Sequence, residues 1–491
     1  MTLTASRERT ELWPHQQAAL DALDGQDGFY LAHSMGCGKS RTAIEAVERR
    51  GLRRVLIVAP KSVVAVWPDQ FAQHAAGEWT CWHGQVMGAR GPKKNPSVAE
   101  RAAACIQAQS GALRLGRPFA AVVNYEAFWQ GDMAELALGG QWDALILDEA
   151  HRIKMPGGKA SKLAARVGER VRDRGGLVLA LSGTPMPHSP LDLWAQIRAL
   201  DGGDRLGTSY QRFCQHFAKY DEIRVAGGMT RNVPKGLRPD RADDFTGRVA
   251  PVMHHVETAE VLDLPETSDL YRTFELSPKA QRIYAQLERD LIAEITADEE
   301  QGVDSVVTAA NAMVNVLRLA QVTSGYAVDA DTGAVHEIDQ GKEQLLRDIL
   351  LDIPPGEPVV VFARFRHDLD RIERVAGELG RRYGELSGRR RDALDGPRLA
   401  EGVTLAGVQT QSGGVGLDLT AARHCVMYTL DFRLADYLQA RARVHRPGQD
   451  RHVNYFHLLA ENTIDRAVFG ALRAREEVID AVITTIKEAR P

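Results

Sequence analysis

The sequence predicts an α/β protein made of two parallel-sheet domains in tandem with helical insertions between them, and three observations carry that expectation. A chain of 491 residues, 44% of them hydrophobic, exceeds what one core fills and suffices for two. From residue 28 to about 200, short apolar runs alternate with helical patterns, the rhythm of parallel strands joined by crossover helices. The same rhythm returns late in the chain with unrelated residues. The implied division is 1–200 for a first domain, 201–340 for helical protrusions and a linker, and 341–491 for a second domain.

Taken in order, "GFYLAH" is the first strand, and "SRTAIEAVERR" places Ala43, Ile44 and Val47 on one helix face before Gly51 ends it. The next strands are "RVLIVAP" (54–60), "FAAVVNY" (119–125), "ALILDEA" (144–150) and "LVLALSGT" (177–184). Each ends in small or polar residues. Parallel sheets set ligand groups just past the carboxyl ends of their strands, so chemistry is expected there. The middle region carries a Gly/Pro/Arg-rich loop, "GGMTRNVPKGLRPDR", and a long helix, "SPKAQRIYAQLERDLIAEI", which Ser277 can cap with Pro278 in its first turn. The second sheet follows from "PVVVFARF" (358–365), "VTLAGVQT" (403–410), "HCVMYTL" (424–430) and "VNYFHLLA" (453–460).

Composition narrows the class without naming a partner. The net charge is −4, so any basic surface is local. Cys37, Cys81, Cys105, Cys214 and Cys425 are scattered and never form a C-x-x-C pair, which argues against a disulfide framework and a zinc site and fits a reducing cytoplasm. The amino-terminal stretch lacks the apolar core of a signal peptide, and no apolar run reaches spanning length, so a cytoplasmic protein is expected.

Three motifs carry chemistry. "HSMGCGKS" (33–40) joins a strand to a helix; Met35, Gly36, Cys37 and Gly38 turn backbone amides toward phosphate oxygens, Lys39 reaches the outer phosphates, and Ser40 can ligate Mg2+. In "LILDEAH", Asp148 suits the metal, Glu149 suits activation of the attacking water, and His151 can link the site to the neighbouring strand. In "QARARVHRPGQ" (439–449), Arg443 and Arg446 are three residues apart and are expected on one helix face, aimed together at a phosphate. The expected ligands are therefore ATP and Mg2+. Cys37, inside the loop, is expected to make it sensitive to thiol reagents.

The order of these motifs, from about residue 12 to residue 470, resembles the Snf-type helicase-like ATPases of helicase superfamily two, which translocate on double-stranded DNA. The resemblance implies two RecA-like domains. "LWPHQ" looks like the adenine-reading segment, with Gln16 as the base contact, and "TQSGGVGLDLTAA" implies Gly416 and Asp418 on the nucleotide side. "LSGTPMPHSPLDLWAQI" is similar to the coupling motif, implying that Ser182 and Thr184, with His151 and Gln439, relay nucleotide state. Duplex DNA, held by its backbone without regard to sequence, is the implied partner, and Lys61, Tyr125, Arg364 and Thr410 sit at or near strand ends where such contacts form. An unwinding helicase would share the catalytic residues, and a nucleotide-gated scaffold would show damage at them. The chain departs from the family where His33 and Ser34 replace an acidic pair, where Cys37 replaces Leu, where Asp418 replaces Asn, and where "HHVE" (254–257) stands in place of a basic cluster. Its brevity resembles members from bacteria and bacteriophages.

Overall fold

The computed structural model describes residues 11–88, 91–225, 229–301, 305–329, 332–410, 417–431 and 433–489. The chain divides into two compact units: one holds the described residues up to Lys219 with Gly236–Asp263 and the chain from Val478, the other Tyr220–Lys235 with Leu264–Glu477. We call them the first and second lobes.

The first lobe is built on a seven-stranded parallel sheet. Its strands are β1 (Gly28–His33), β2 (Arg54–Ala59), β3 (Thr80–Trp82), β4 (Phe119–Asn124), β5 (Ala144–Asp148), β6 (Leu177–Leu181) and β7 (Met253–Val256), in the spatial order β7-β1-β6-β5-β2-β4-β3. Every residue of β1, β5 and β6 is buried, because helices cover both faces and leave no place for a polar alternation. Three neighbouring strands, β1, β6 and β5, end side by side and deliver the phosphate loop, Ser182 and the Asp148–Glu149 pair to one edge of the sheet.

The second lobe repeats the plan with six parallel strands, β8 (Thr267–Phe274), β9 (Val359–Ala363), β10 (Tyr383–Leu386), β11 (Leu405–Gln409), β12 (His424–Met427) and β13 (Val453–Ala460), ordered β8-β13-β12-β9-β11-β10. Its core packs Val359, Val361, Leu405, Val426 and Leu458 from the sheet against Leu346 and Ile349 of one helix and Leu369, Ile372 and Val375 of another. The apolar runs read from the sequence are thus the central strands of both sheets.

Between residues 201 and 340 the structure holds sheet strands beyond the expected helical protrusions, loop and linker. Helices are there, including Pro278–Gln301, where Ala280 N–H in the first turn donates to Ser277 Oγ (3.3 Å) as the capping signal implied. But β7 and β8 also come from this stretch and form an edge of each sheet. Both are polar: β7 reads MHHV, and β8 is nowhere fully buried. An edge strand faces a neighbour on one side only, so it does not need the unbroken apolar run that marks a central one. All five cysteines are free thiols, and among the described residues no helix is long and apolar enough to cross a membrane.

Candidate active site

The loop after β1 turns on two glycines in the left-handed region, Gly36 (φ 85°) and Gly38 (φ 72°). Gly38 is also the N-cap of the helix Lys39–Arg49, which has no acidic residue in its first turn, so its positive end is left to an external anion. A Cβ at Gly38 would also crowd Gln16 Nε2, the movable end of that side chain, so it is the left-handed backbone that calls for glycine here. From the helix Pro14–Leu23, a His15 ring nitrogen lies 2.9 Å from Cys37 O, and Gln16 donates to Gly38 O (3.4 Å) while accepting from Trp13 N–H (2.9 Å). The Lys39 ammonium donates to the carbonyls of His33 (2.7 Å) and Ser34 (3.2 Å). Neither acceptor is charged, and Lys39 can exchange them for phosphate oxygens. Ser40 is half-buried on the first turn of the helix, and Met35 O accepts from Thr258 Oγ1 (3.2 Å). Cys37 corrects one expectation. Its thiol is fully buried 3.8 Å from Thr258 Oγ1, and burial raises its pKa, so neither access nor a thiolate favours modification.

At the end of β5, Asp148 and Glu149 are both buried, and Glu149 holds a left-handed backbone (φ 52°) that a non-glycine residue adopts at a cost. Asp148 Oδ2 accepts from Trp67 Nε1 (3.0 Å), a partner 81 residues away that sequence reading missed. Ser182 Oγ donates to Glu149 Oε2 (3.3 Å) and accepts from Thr184 N–H (3.1 Å). His151 Nδ1 lies 3.0 Å from Ser182 Oγ and 3.3 Å from Glu149 Oε2; with the serine proton given to Glu149, His151 must carry its own on Nδ1. Sequence-predicted His151, Ser182, Thr184 and Glu149 therefore form one chain of hydrogen bonds, whose far end, Thr184 Oγ1, is buried without a partner among the described residues.

The pKa values of the two acids are pushed in opposite directions. Burial and then the charge of Glu149 push the Asp148 pKa up. Glu149 is pushed up by burial too, but the hydrogen bond and charge of His151 and the charge of Lys39 outweigh it and hold this carboxyl below its ordinary value. Asp148 is thus a buried carboxyl short of positive charge. With the Ser40 hydroxyl it makes a hard oxygen donor set, which fits Mg2+.

Of the expected DNA contacts in this lobe, one looks different in place. Tyr125 is buried and its hydroxyl donates to Asp148 O (2.8 Å), so it braces the acidic strand end and offers nothing to a phosphate backbone. Lys61, just past β2, is exposed.

In the second lobe, Arg443 and Arg446 are not on a helix. The helix Leu434–Arg441, which carries half-buried Gln439, stops short of them, and both lie in the turns beyond it. For Arg446 a cause is Pro447: a residue before proline is driven out of the helical region, and Gly448 completes the turn at φ 101°. Arg443 is buried, which lowers its pKa to about 10 and still leaves it charged at neutral pH. Arg446 donates to Leu417 O (2.8 Å) beside Asp418, whose carboxylate accepts from Thr420 N–H (3.1 Å) and Oγ1 (2.6 Å). Gln449 of "RPGQ" is buried and donates to the Thr420 (3.1 Å) and Ala422 (2.9 Å) carbonyls, so the motif is partly a structural clamp on this turn. Gly416 lies outside the described residues. Arg364 is partly exposed, 3.5 Å from Asp431 Oδ1, and Thr410 Oγ1 donates to Ala363 O (3.2 Å).

Two parallel-sheet lobes, one with a phosphate loop beside a paired-acid strand end and the other with an arginine turn, define a helicase-like ATPase. Residues 16–323 match the SNF2-related domain and residues 341–448 the helicase conserved C-terminal domain. The chain belongs to the SNF2-related family. It is 25% identical to protein p41 of Acyrthosiphon pisum secondary endosymbiont phage 1, a match covering 92% of this chain and 94% of that one. It is 23% identical to an uncharacterized ATP-dependent helicase of Mycoplasma pneumoniae (96% of this chain, 42% of the relative). It is 24% identical to the DNA excision repair protein ERCC-6-like of Bos taurus (91% and 39%). The chain thus spans nearly all of the phage protein and less than half of the other two. Among solved structures, the Sulfolobus solfataricus SWI2/SNF2 ATPase core in complex with dsDNA matches at 19% identity over 99% of this chain and 96% of that one, with a TM-score of 0.40.

Proposed function

We propose that the protein hydrolyses ATP to drive itself along double-stranded DNA, holding the backbone without reading its sequence, in the cytoplasm of a bacterium or a phage-infected cell. The observation that carries the reading is the meeting of Lys39, Asp148, Glu149 and the Ser182–His151 relay at the ends of three adjacent strands. Gln16 reads the adenine. The amides of residues 35–38 and the Lys39 ammonium take the phosphates, and Lys39 leaves the two carbonyls it now holds. Ser40 and Asp148 would hold a magnesium ion, which would supply charge neutralisation at the phosphates. Glu149, kept ionised, accepts the proton of the attacking water. Arg446, seconded by Arg443, supplies positive charge to the transition state, an effect worth about 10³–10⁵ in rate for such arginines. Asp418 and Gly416 shape the nucleotide side of the second lobe, and Gln439 joins His151, Ser182 and Thr184 in relaying nucleotide state.

Because Ser182 bonds Glu149 and accepts from Thr184 N–H, a change at Glu149 is felt directly by the chain leaving β6. Lys61, Arg364 and Thr410 are our candidates for backbone contacts, which make binding steeply salt-dependent. The test is ATP turnover measured in parallel with duplex DNA, single-stranded DNA and RNA. Duplex should stimulate most, and increasingly so as salt falls. Stimulation confined to RNA or single strands would replace this reading by that of a strand-separating helicase with the same catalytic residues.

A further inference from the structure

Strand β7 and the turn after it wall the phosphate loop. Ser34 N–H donates to Val256 O (2.8 Å), Thr258 Oγ1 donates to Met35 O (3.2 Å), and His33 Nε2 lies 2.9 Å from His254 Nδ1. The imidazole contact follows from register: Leu31 of β1 is opposite His254, so His33, two residues on, projects from the same face. The rings meet edge to face, with centroids 5.1 Å apart and planes at 67°.

His33 is fully buried, and its Nδ1 has no partner among the described residues. An orphaned buried N–H is rarer than an orphaned acceptor, which assigns the proton to His33 Nε2 and makes it the donor to His254 Nδ1. The groups that act most strongly on His33 are His254 and His255 from β7, Lys39 from the loop helix and His15 from the amino-terminal helix, all of which disfavour its charged form. Burial first, then His254 and Lys39, hold this imidazole neutral.

Positions 33 and 254 are both departures from the pattern the sequence resembles, one from an acid and one from a base, and here the two departures touch. A carboxylate alone at 33 would be a buried charge whose nearby cation is Lys39, the ammonium the phosphates need, and a guanidinium alone at 254 would be a half-buried charge facing a neutral His33. We propose that His33 and His254 form an uncharged latch that positions the phosphate loop for ATP. The mechanical link is short, since the His33 and Ser34 carbonyls are the groups that hold Lys39. The chemical gain is that no carboxylate competes with phosphate for that ammonium. Both histidines are positioning residues, and their role rests on the reading of this loop as the ATP site.

A charge-swap cycle in the full chain tests the latch: His33→Asp, His254→Arg and the double variant, with KM for ATP and kcat read from turnover and nucleotide affinity from a fluorescent ATP analogue. Each single change should raise KM about tenfold or more, and the double should return to within about threefold of the parent, a coupling of the size seen for touching residues. Effects that simply multiply in the double would overturn the latch. Should either single variant fail to fold, His33→Gln and His33→Leu decide. Gln retains a donor and should leave KM within about twofold, whereas Leu should raise KM more than kcat falls; equal KM for the two overturns the proposal. A parent protein that binds no ATP analogue would instead refute the loop reading itself, which keeps the two failures apart.

Discussion

Two regions of the molecule bury polar groups differently. On the β7 side of the phosphate loop the side chains are imidazoles, His15 and His33 buried with His254 and His255 half-buried, and the Lys39 ammonium hydrogen-bonds uncharged carbonyls. In the second lobe, charges are buried in matched sets. Lys342 lies 2.8 Å from Asp465, at an angle poor for a hydrogen bond so that the attraction is mainly Coulombic, and Asp465 also accepts from Thr323 Oγ1 (2.8 Å). Arg371 lies 2.9 Å from Glu343 and donates to Gly325 O (3.1 Å), and buried Asp368 accepts from Thr429 Oγ1 (2.6 Å). A lobe that must receive a polyanion keeps its cation uncommitted, because any carboxylate placed there would have to be displaced first. Where charge serves only the fold, committing every ion is the way to bear the desolvation.

That contrast can be broken from the second lobe. Lys342→Met leaves Asp465 and Asp368 buried without their shared cation and should destabilise the lobe by about 3–5 kcal/mol. The loss should appear as faster hydrogen exchange across the helix Gly341–Leu351 and strand β13. Adding Asp465→Asn should recover at least half of it, since the unmatched charge, rather than the lost contact, is the source. A single variant as protected as the parent would mean that the pair is not needed. A smaller effect sharpens the first-lobe side: with its thiol buried, Cys37 in the native protein should react with a maleimide on the order of a hundredfold more slowly than in denatured protein. Rapid native labelling at Cys37, mapped by peptide digestion, would show that the loop opens freely.

Central strands were legible because burial on both faces demands an unbroken apolar run, as in "VLIVA" or "VVVFA", and no other element reads that way. The loop was legible because Gly36, Gly38 and Lys39 are a local pattern with one geometry. What was hidden is long-range or polar. "MHHV" gives no strand signal of its own, and its place beside β1 is set by pairing with residues more than two hundred positions away. Trp67 reaches Asp148 only because β2 and β5 are neighbours in the sheet. The three-residue spacing of the arginine pair suits a helix face, but Pro447 keeps Arg446 out of one. Tyr125 shows the converse error, a strand-end position taken for an exposed one.

At the centre of the proposed function, the first lobe binds ATP through Lys39 and the second contributes Arg446 to its hydrolysis alone. Equilibrium binding of a fluorescent ATP analogue and duplex-stimulated turnover, measured together for Lys39→Ala and Arg446→Ala, test it most directly. Lys39→Ala should lose both, with affinity down about a hundredfold for a lost set of charge-assisted bonds, while Arg446→Ala should bind within a few-fold of the parent and turn over at least about a thousandfold more slowly. Normal binding by Lys39→Ala, or full turnover by Arg446→Ala, would contradict it.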